Sequence, residues 1–344
     1  MRMLSQSSVE LISRVDVNEV EVIRLLGSGG FGSVFEAMHK NCKVAMKRFH
    51  TNTRNKKAAM QSFEAEVHHE VLSLKHPNIV RVLGTNAARS LEEQPFIIME
   101  FVSSRNLQHV LDDADEKVDF KRRVTFAYEV ALALEYVHDN NIAHLDLKPA
   151  NVLIAPDGSC KLADFGCCQI IQERPNTPSR SYLTGTYAYR APELLKGESP
   201  TFKADVFSLG ICLWQFWTRE IPYKLQNHQI VIFRVVACNL RPEIPEGNDV
   251  DNRYRELMTS SWNGNPEERP SMTEVVNLLK VLVTRNNGLV DKCEACGKES
   301  LCVPMLCPEA QSYLRLEETK RSFLALQPQR KNGTADPDRL TDQI

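Results

Sequence analysis

From residue 19 to residue 50 apolar and polar side chains alternate, with glycines at the turns, and this period of two predicts antiparallel strands of a small lobe. The pattern then changes. The run from Ser62 to Leu74 brings Val67, Val71 and Leu74 to one side of a helix, which Lys75, His76 and Pro77 stop. Phe96, Ile97, Ile98 and Met99 form an apolar strand, and Glu100, Phe101 and Val102 read as a connector. Farther on the period becomes helical. Val124, Phe126, Ala127, Val130, Leu134 and Val137 recur between residues 120 and 140 as a stripe that belongs in a core. Val152 to Ile154 and Cys160 to Leu162, joined through Asp157 and Gly158, predict a hairpin with an Asp-Gly turn. The longest apolar run, around Val206 to Trp217, is broken by Ser208, Gly210 and Gln215; it is too short to cross a bilayer and predicts a buried helix.

Composition narrows the class. With 344 residues, a quarter of them charged, and a formal net charge of −2, the chain has the length for two core-bearing lobes and no charge excess to draw a nucleic acid. Met1 to Asp16 hold no apolar core of signal-peptide length, so neither secretion nor a membrane partner is expected. Cys42, Cys160, Cys167, Cys168, Cys212 and Cys238 are dispersed without a disulfide framework, which fits a reducing cytoplasm.

The densest chemistry lies between His144 and Asn151. Asp146 can accept the proton of an incoming hydroxyl, Lys148 can neutralise a transferring phosphoryl group, and Asn151 can offer an oxygen to Mg²⁺. Upstream, Gly27, Ser28, Gly29, Gly30, Phe31 and Gly32 read as a cover for phosphates, and Val44 to Lys47 as a strand that delivers a cation to them. Downstream, Asp164, Phe165 and Gly166 supply the main metal ligand. A dinucleotide fingerprint would open a helix after its glycines. Here Val34, Glu36 and Met38 alternate with Phe35, Ala37 and His39 instead, as a strand does.

On these motifs, residues 18 to 285 resemble a eukaryotic protein kinase domain, with Ala191, Pro192 and Glu193 closing the activation segment. Within that superfamily the runs from His144 to Asn151, Asp164 to Cys167 and Arg190 to Glu198 resemble the Mos serine/threonine kinases. The resemblance implies an α+β, two-lobed fold: a mostly β N-lobe over about 18–99 with one main helix, a hinge at 100–102, and a mostly α C-lobe over 103–285. A short tail, 1–17, would precede it, and a second, 286–344, would follow. The resemblance also implies ATP and Mg²⁺ as cofactors. Lys47 would grip the α and β phosphates, Lys148 the γ phosphate, and Asn151 and Asp164 the metal. Met99 would border the adenine pocket, with backbone hydrogen bonds to the base from Glu100 and Val102, and Val34, Ala45 and Leu153 would be further nucleotide-binding residues. Likeness to the Mos segment around Ser62 to Glu66 favours Glu66 as the partner of Lys47; Glu70, four residues on, or neither, is the alternative. Asp205 and Arg269 are implied as struts, the latter paired with Glu193, and His144 as a packed residue.

Gly185, Thr186 and Tyr187 resemble the serine/threonine form of the peptide-docking loop, and Lys148 agrees with it. The implied activity is ATP-dependent phosphorylation of Ser or Thr in a protein substrate, a MAP kinase kinase, by a MAP kinase kinase kinase of oocyte meiotic maturation, with a monomer assumed. The competing class is a pseudokinase scaffold, against which Lys47, Asp146, Asn151 and Asp164 argue; a kinase of small metabolites would not need the docking loop. Leu145 departs from the family, where Arg is usual, and removes a dock for an activation-loop phosphate. In the tail, Cys293, Cys296, Cys302 and Cys307 are spaced either for a cramped Zn²⁺ site or as free thiols. Residues 308–326 have a helix-forming composition.

Overall fold

The computed structural model describes residues 13–171, 186–245 and 251–286. The four tail cysteines, the 308–326 segment and Gly185 lie outside the described residues. The first strand, β1 (Ser13–Arg14), precedes β2 (Val20–Ser28), β3 (Gly32–His39) and β4 (Cys42–Phe49). Two further strands, β5 (Val82–Thr85) and β6 (Phe96–Glu100), complete a sheet in the order β1-β5-β6-β4-β3-β2. Its pairings are antiparallel apart from β1 on β5. The folded lobe therefore starts before residue 18: β1 pairs with β5, and Val15 is buried with Val20, Val44 and Met46. Two strand residues are too few for a period to show in the sequence.

Alternation along β4 sorts the sheet's two faces. Val44 and Met46 enter a cluster with Ala37, Phe96 and Ile98. Ala45 and Lys47 point the other way, and their register partners, Met99 and Ile97 on β6 and Val34 opposite Lys47 on β3, share that face. Against the Ile97 side lies α1 (Lys56–Glu66), whose Phe63 packs with Phe49 and Ile97.

The helix expected from Ser62 to Leu74 is in fact two. Asn55 caps α1 by accepting a hydrogen bond from the Ala58 amide at 3.0 Å, so the helix begins earlier than its apolar spacing suggests. It ends at Glu66; Val67 leaves helical geometry, His68 is extended, and α2 (His69–Leu72) is a separate turn. The segment contributes to two cores: Phe63 and Val67 pack on the sheet side, whereas Ala65, Val71 and Leu74 join the large cluster built on the C-lobe.

In the C-lobe, α3 (Leu107–Asp112) and α4 (Phe120–Asp139) are followed by β7 (Ile142–Ala143), β8 (Val152–Ile154), β9 (Cys160–Leu162) and β10 (Gln169–Ile170). The apolar stripe of α4 is buried as its period predicts. The β8–β9 hairpin turns at Asp157 and Gly158, where Gly158 takes φ +88° and the Asp157 carboxylate accepts the Ser159 amide at 2.9 Å. Then come α5 (Pro192–Lys196), α6 (Phe202–Thr218), α7 (His228–Ala237), α8 (Asn252–Ser261) and α9 (Met272–Asn286). Every residue of α6 from Ala204 to Phe216 is buried, and it is the axis on which the lobe packs. Among the described residues no helix is long and apolar enough to cross a membrane.

Candidate active site

Each charged group of the site is delivered by a different kind of element. β4 presents Lys47, the last turn of α1 presents Glu66, the loop after β7 carries Asp146 and Lys148, and the ends of the β8–β9 hairpin carry Asn151 and Asp164. The ammonium of Lys47 donates to Glu66 Oε1 at 2.5 Å and to Asp164 Oδ1 at 2.8 Å. Glu70 is not its partner: its carboxylate lies against the imidazoles of His68 and His69.

Electrostatics in this cluster follow from burial and pairing. Burial alone would lower the Lys47 pKa, but Asp164 and Glu66 outweigh it and hold the amine firmly protonated. The Asp164 side chain is only half-buried; the desolvation it meets would raise its pKa, yet Lys47 and then Lys148 and His144 pull it down to about 2. Glu66 is pushed up to about 7, by burial first and by the Asp164 charge, against the opposing pull of Lys47. Asp164 is thus the firm countercharge of Lys47, and an ionised oxygen donor of the kind hard cations take.

The second half of the site is tied to the first through backbone. The Ala163 amide donates to the Asn151 carbonyl at 2.9 Å, which fixes the residue before Asp164 against the hairpin's other strand. Asn151 Nδ2 donates to the Asp146 carbonyl at 2.9 Å and to its carboxylate at 3.0 Å. With its nitrogen so engaged, the amide's oxygen is the donor left for a cation. Lys148 Nζ bridges the Asp146 carboxylate and the Thr186 hydroxyl, each at 2.8 Å. Thr186 was marked by the sequence only as part of a docking loop; here it stands beside the carboxylate.

Leu145 and Asp164 both have left-handed backbones, φ +64° and +65°. Non-glycine residues rarely adopt this region, and they persist there when their surroundings fix them. Asp205, fully buried in the first turn of α6, accepts the His144 and Leu145 amides at 2.8 Å each and contacts His138 Nε2 at 2.9 Å. Those bonds pull its pKa down despite burial. His144 itself is a core residue, edge-on to Phe165 with ring centroids 4.9 Å apart. Leu145 is also buried, part of the C-lobe core.

Around these groups lie the residues expected to hold a nucleotide. Gly27, Ser28, Gly29 and Gly30 are exposed at the β2–β3 turn, where the Gly29 amide donates to the Gly32 carbonyl at 2.8 Å. Phe31 is half-buried; its carbonyl accepts the His50 amide. Gly32 faces the Arg48 carbonyl so closely that a Cβ would lie 2.6 Å from it. Val34, Ala45 and Met99 share the Lys47 face of the sheet. Val102 is buried in the connector and Leu153 half-buried on β8. The Glu100 amide is committed to the Arg81 carbonyl at 2.9 Å, which removes it as a donor to a base. The Glu100 side chain accepts from Lys161 at 3.0 Å.

Gly166 and Ser62 were marked in the sequence only as members of separate motifs; the structure brings them together. A Cβ on Gly166 would collide with the Ser62 hydroxyl, come 2.9 Å from Glu66 Oε1 and 3.3 Å from Asp164 Oδ1. Gly166→Ala is therefore expected to push α1 away from Asp164, destabilising the protein by about 1–3 kcal/mol as overpacking does and reducing turnover. Ser62→Ala in the same chain should restore most of both, measured by melting temperature and steady-state rate; no rescue would show that the crowding lies elsewhere. Cys167 follows Gly166 and is pushed up to about 12 by burial, with Asp146 and Asp164 adding to it, so it is an unreactive thiol.

A description of the protein kinase domain matches residues 20–279. The chain is 48% identical over 260 residues to a serine/threonine-protein kinase mos from Patiria pectinifera, covering 74% of this chain and 73% of that one. It is 38% identical over 280 residues to the Xenopus laevis serine/threonine-protein kinase mos, covering 77% of each. With the Gallus gallus protein of that name it shares 37% over 290 residues, covering 78% of this chain and 82% of the relative.

Proposed function

The chain belongs to the protein kinase family and, within it, to the Mos serine/threonine kinases, and from that premise we propose that it is a MAP kinase kinase kinase acting on Ser or Thr of a MAP kinase kinase, in the cytoplasm of maturing oocytes. The family works with ATP and Mg²⁺. The observation that carries turnover rather than passive binding is the single connected set running from Glu66 through Lys47 to Asp164, with Asn151, Asp146 and Lys148 joined to it through Ala163.

Phosphoryl transfer asks mainly for positioning and for opposite charge where negative charge spreads in the transition state. Lys47 would hold the α and β phosphates, kept in place by Glu66. Mg²⁺, when bound by Asp164 and the Asn151 amide oxygen, supplies charge neutralisation at the phosphates. Asp146 would accept the proton of the substrate hydroxyl. Lys148, which already reaches from Asp146 to Thr186, would stand between the hydroxyl-bearing peptide and the γ phosphate. Val34, Ala45, Met99 and Leu153 would enclose the adenine, and Gly27 to Gly32 would cover the phosphates.

Purified protein incubated with Mg²⁺ and γ-labelled ATP tests this directly. Label on Ser or Thr of a MAP kinase kinase is expected. Label on a small metabolite instead, or on nothing while ATP still binds, would overturn the proposal, the latter in favour of a scaffold.

A further inference from the structure

Three consecutive residues of an unbroken helix point about 100° apart and do not face one another. His68, His69 and Glu70 do converge, because the helix breaks just before them. Val67 leaves helical geometry and His68 is extended, with φ −63° and ψ 140°, before α2 begins at His69. That turn brings the His68 ring to the side of the other two, with the ring centroids of His68 and His69 5.5 Å apart. One ligating atom from each of the three residues lies within 4.8 Å of the other two. His69 Nδ1 stands 2.6 Å from Glu70 Oε2, and His68 Nδ1 meets the same oxygen.

Neither contact is a hydrogen bond: Glu70 Oε2 is shielded from solvent and has no hydrogen-bond partner among the described residues. An ion pair needs one protonated imidazole and does not call for a second ring nitrogen on the same oxygen. Two imidazole nitrogens with one carboxylate oxygen are, however, a set that binds Zn²⁺, a further donor completing four. A rotation of the carboxylate, which no hydrogen bond holds, admits the ion between the three. His68 and His69 are exposed, so an ion reaches the ring nitrogens and water can supply the fourth ligand. Imidazole suits Zn²⁺, whereas Mg²⁺ takes oxygen, so the Mg²⁺ used with ATP is not a competitor here.

The site sits on a joint that matters to the catalytic cluster. The Val67 amide donates to the Phe63 carbonyl at 3.0 Å, the His68 amide to the Ala65 carbonyl at 3.3 Å, and the Leu72 amide to the His68 carbonyl at 2.9 Å. Glu66, two residues before His68, holds Lys47. We propose that His68, His69 and Glu70 bind Zn²⁺ and that the bound ion clamps the joint between α1 and α2, fixing the end of α1 that carries Glu66.

Full-length wild type, His68→Ala/His69→Ala and Glu70→Gln are titrated with Zn²⁺ in excess Mg²⁺, and bound zinc is counted by metal analysis. The two histidines are exposed, so the metal-free melting temperature of the double variant should hold. All three proteins keep Cys293, Cys296, Cys302 and Cys307, so whatever zinc those thiols take cancels in the comparison. Wild type is expected to hold one Zn²⁺ per chain more than the double variant. Glu70→Gln should need at least about tenfold more Zn²⁺ for half-saturation, since even an outer-shell partner is worth that much. Zn²⁺ should also slow hydrogen exchange at the Val67 and His68 amides of wild type and leave the double variant unchanged. Equal zinc in wild type and the double variant overturns the site, and a Glu70→Gln titration like that of wild type overturns the three-ligand set. Zinc bound without slower exchange overturns the clamp.

Discussion

Asp146→Asn is expected to bind ATP as the wild-type protein does and to lose turnover by at least about a hundredfold, the lower end for a positioned acid or base. The contacts explain why the two effects separate. Lys47, Glu66 and Asp164 meet one another and make no hydrogen bond to Asp146, so the groups assigned to the nucleotide keep their geometry. An amide at 146 can still accept from Lys148 or Asn151 through its one oxygen. It cannot take up a proton at neutral pH, and it removes the negative charge that Lys148 balances. Nucleotide affinity by calorimetry and single-turnover rates on the same preparation distinguish the outcomes. Undiminished turnover would refute the role of Asp146; loss of ATP binding with it would mean that the two halves of the site are one structural unit.

Arg269→Ala carries the largest expected effect on stability. The Arg269 guanidinium holds both oxygens of Glu193, at 2.6 and 2.8 Å, and spends its other donors on the Asn263 and Lys203 carbonyls at 2.8 and 2.9 Å. Its side chain is 0% exposed and that of Glu193 4%. Removing one partner leaves a buried carboxylate without its countercharge, a loss of about 3–5 kcal/mol. Replacing both removes the uncompensated charge, so Glu193→Leu/Arg269→Leu should be less destabilised than Arg269→Ala, by denaturant midpoint. If Arg269→Ala melts within a degree of wild type, the pair is not holding the lobe. Glu193 lies in the first turn of α5, two residues beyond Ala191. The single variant is therefore also expected to loosen the docking segment and to raise KM for protein substrates.

The fold was legible wherever one element's own side chains record its surroundings. The alternation over 19–50 gave β2, β3 and β4, the stripe from Val124 to Val137 gave α4, and the Asp157-Gly158 turn gave the hairpin between β8 and β9. Illegibility set in where an element serves two surroundings. The segment from Ser62 to Leu74 looks like one helix from Val67, Val71 and Leu74, yet it starts earlier, at Lys56, and breaks after Glu66, with Phe63 and Val67 packed on the sheet side and Ala65, Val71 and Leu74 in the C-lobe cluster. The two-residue β1 is legible only through its neighbour β5, which lies far along the chain.

For the site, the sequence by itself determined which chemical groups are present and in what order: the glycine turn, Lys47, Asp146, Lys148, Asn151 and Asp164. Their types and local offsets are fixed by covalent neighbours, so they can be read without coordinates. Only the tertiary structure decided that Glu66 rather than Glu70 meets Lys47, that Thr186 joins Lys148, and that Ser62 and Glu66 leave Gly166 no room for a Cβ, whereas the hold of Asp205 on the backbone at His144 and Leu145 bears out what the family resemblance implied. Each of these depends on the distance between groups brought together from separate elements by packing. Packing is settled by the sum of many contacts, and no local spacing along the chain records it.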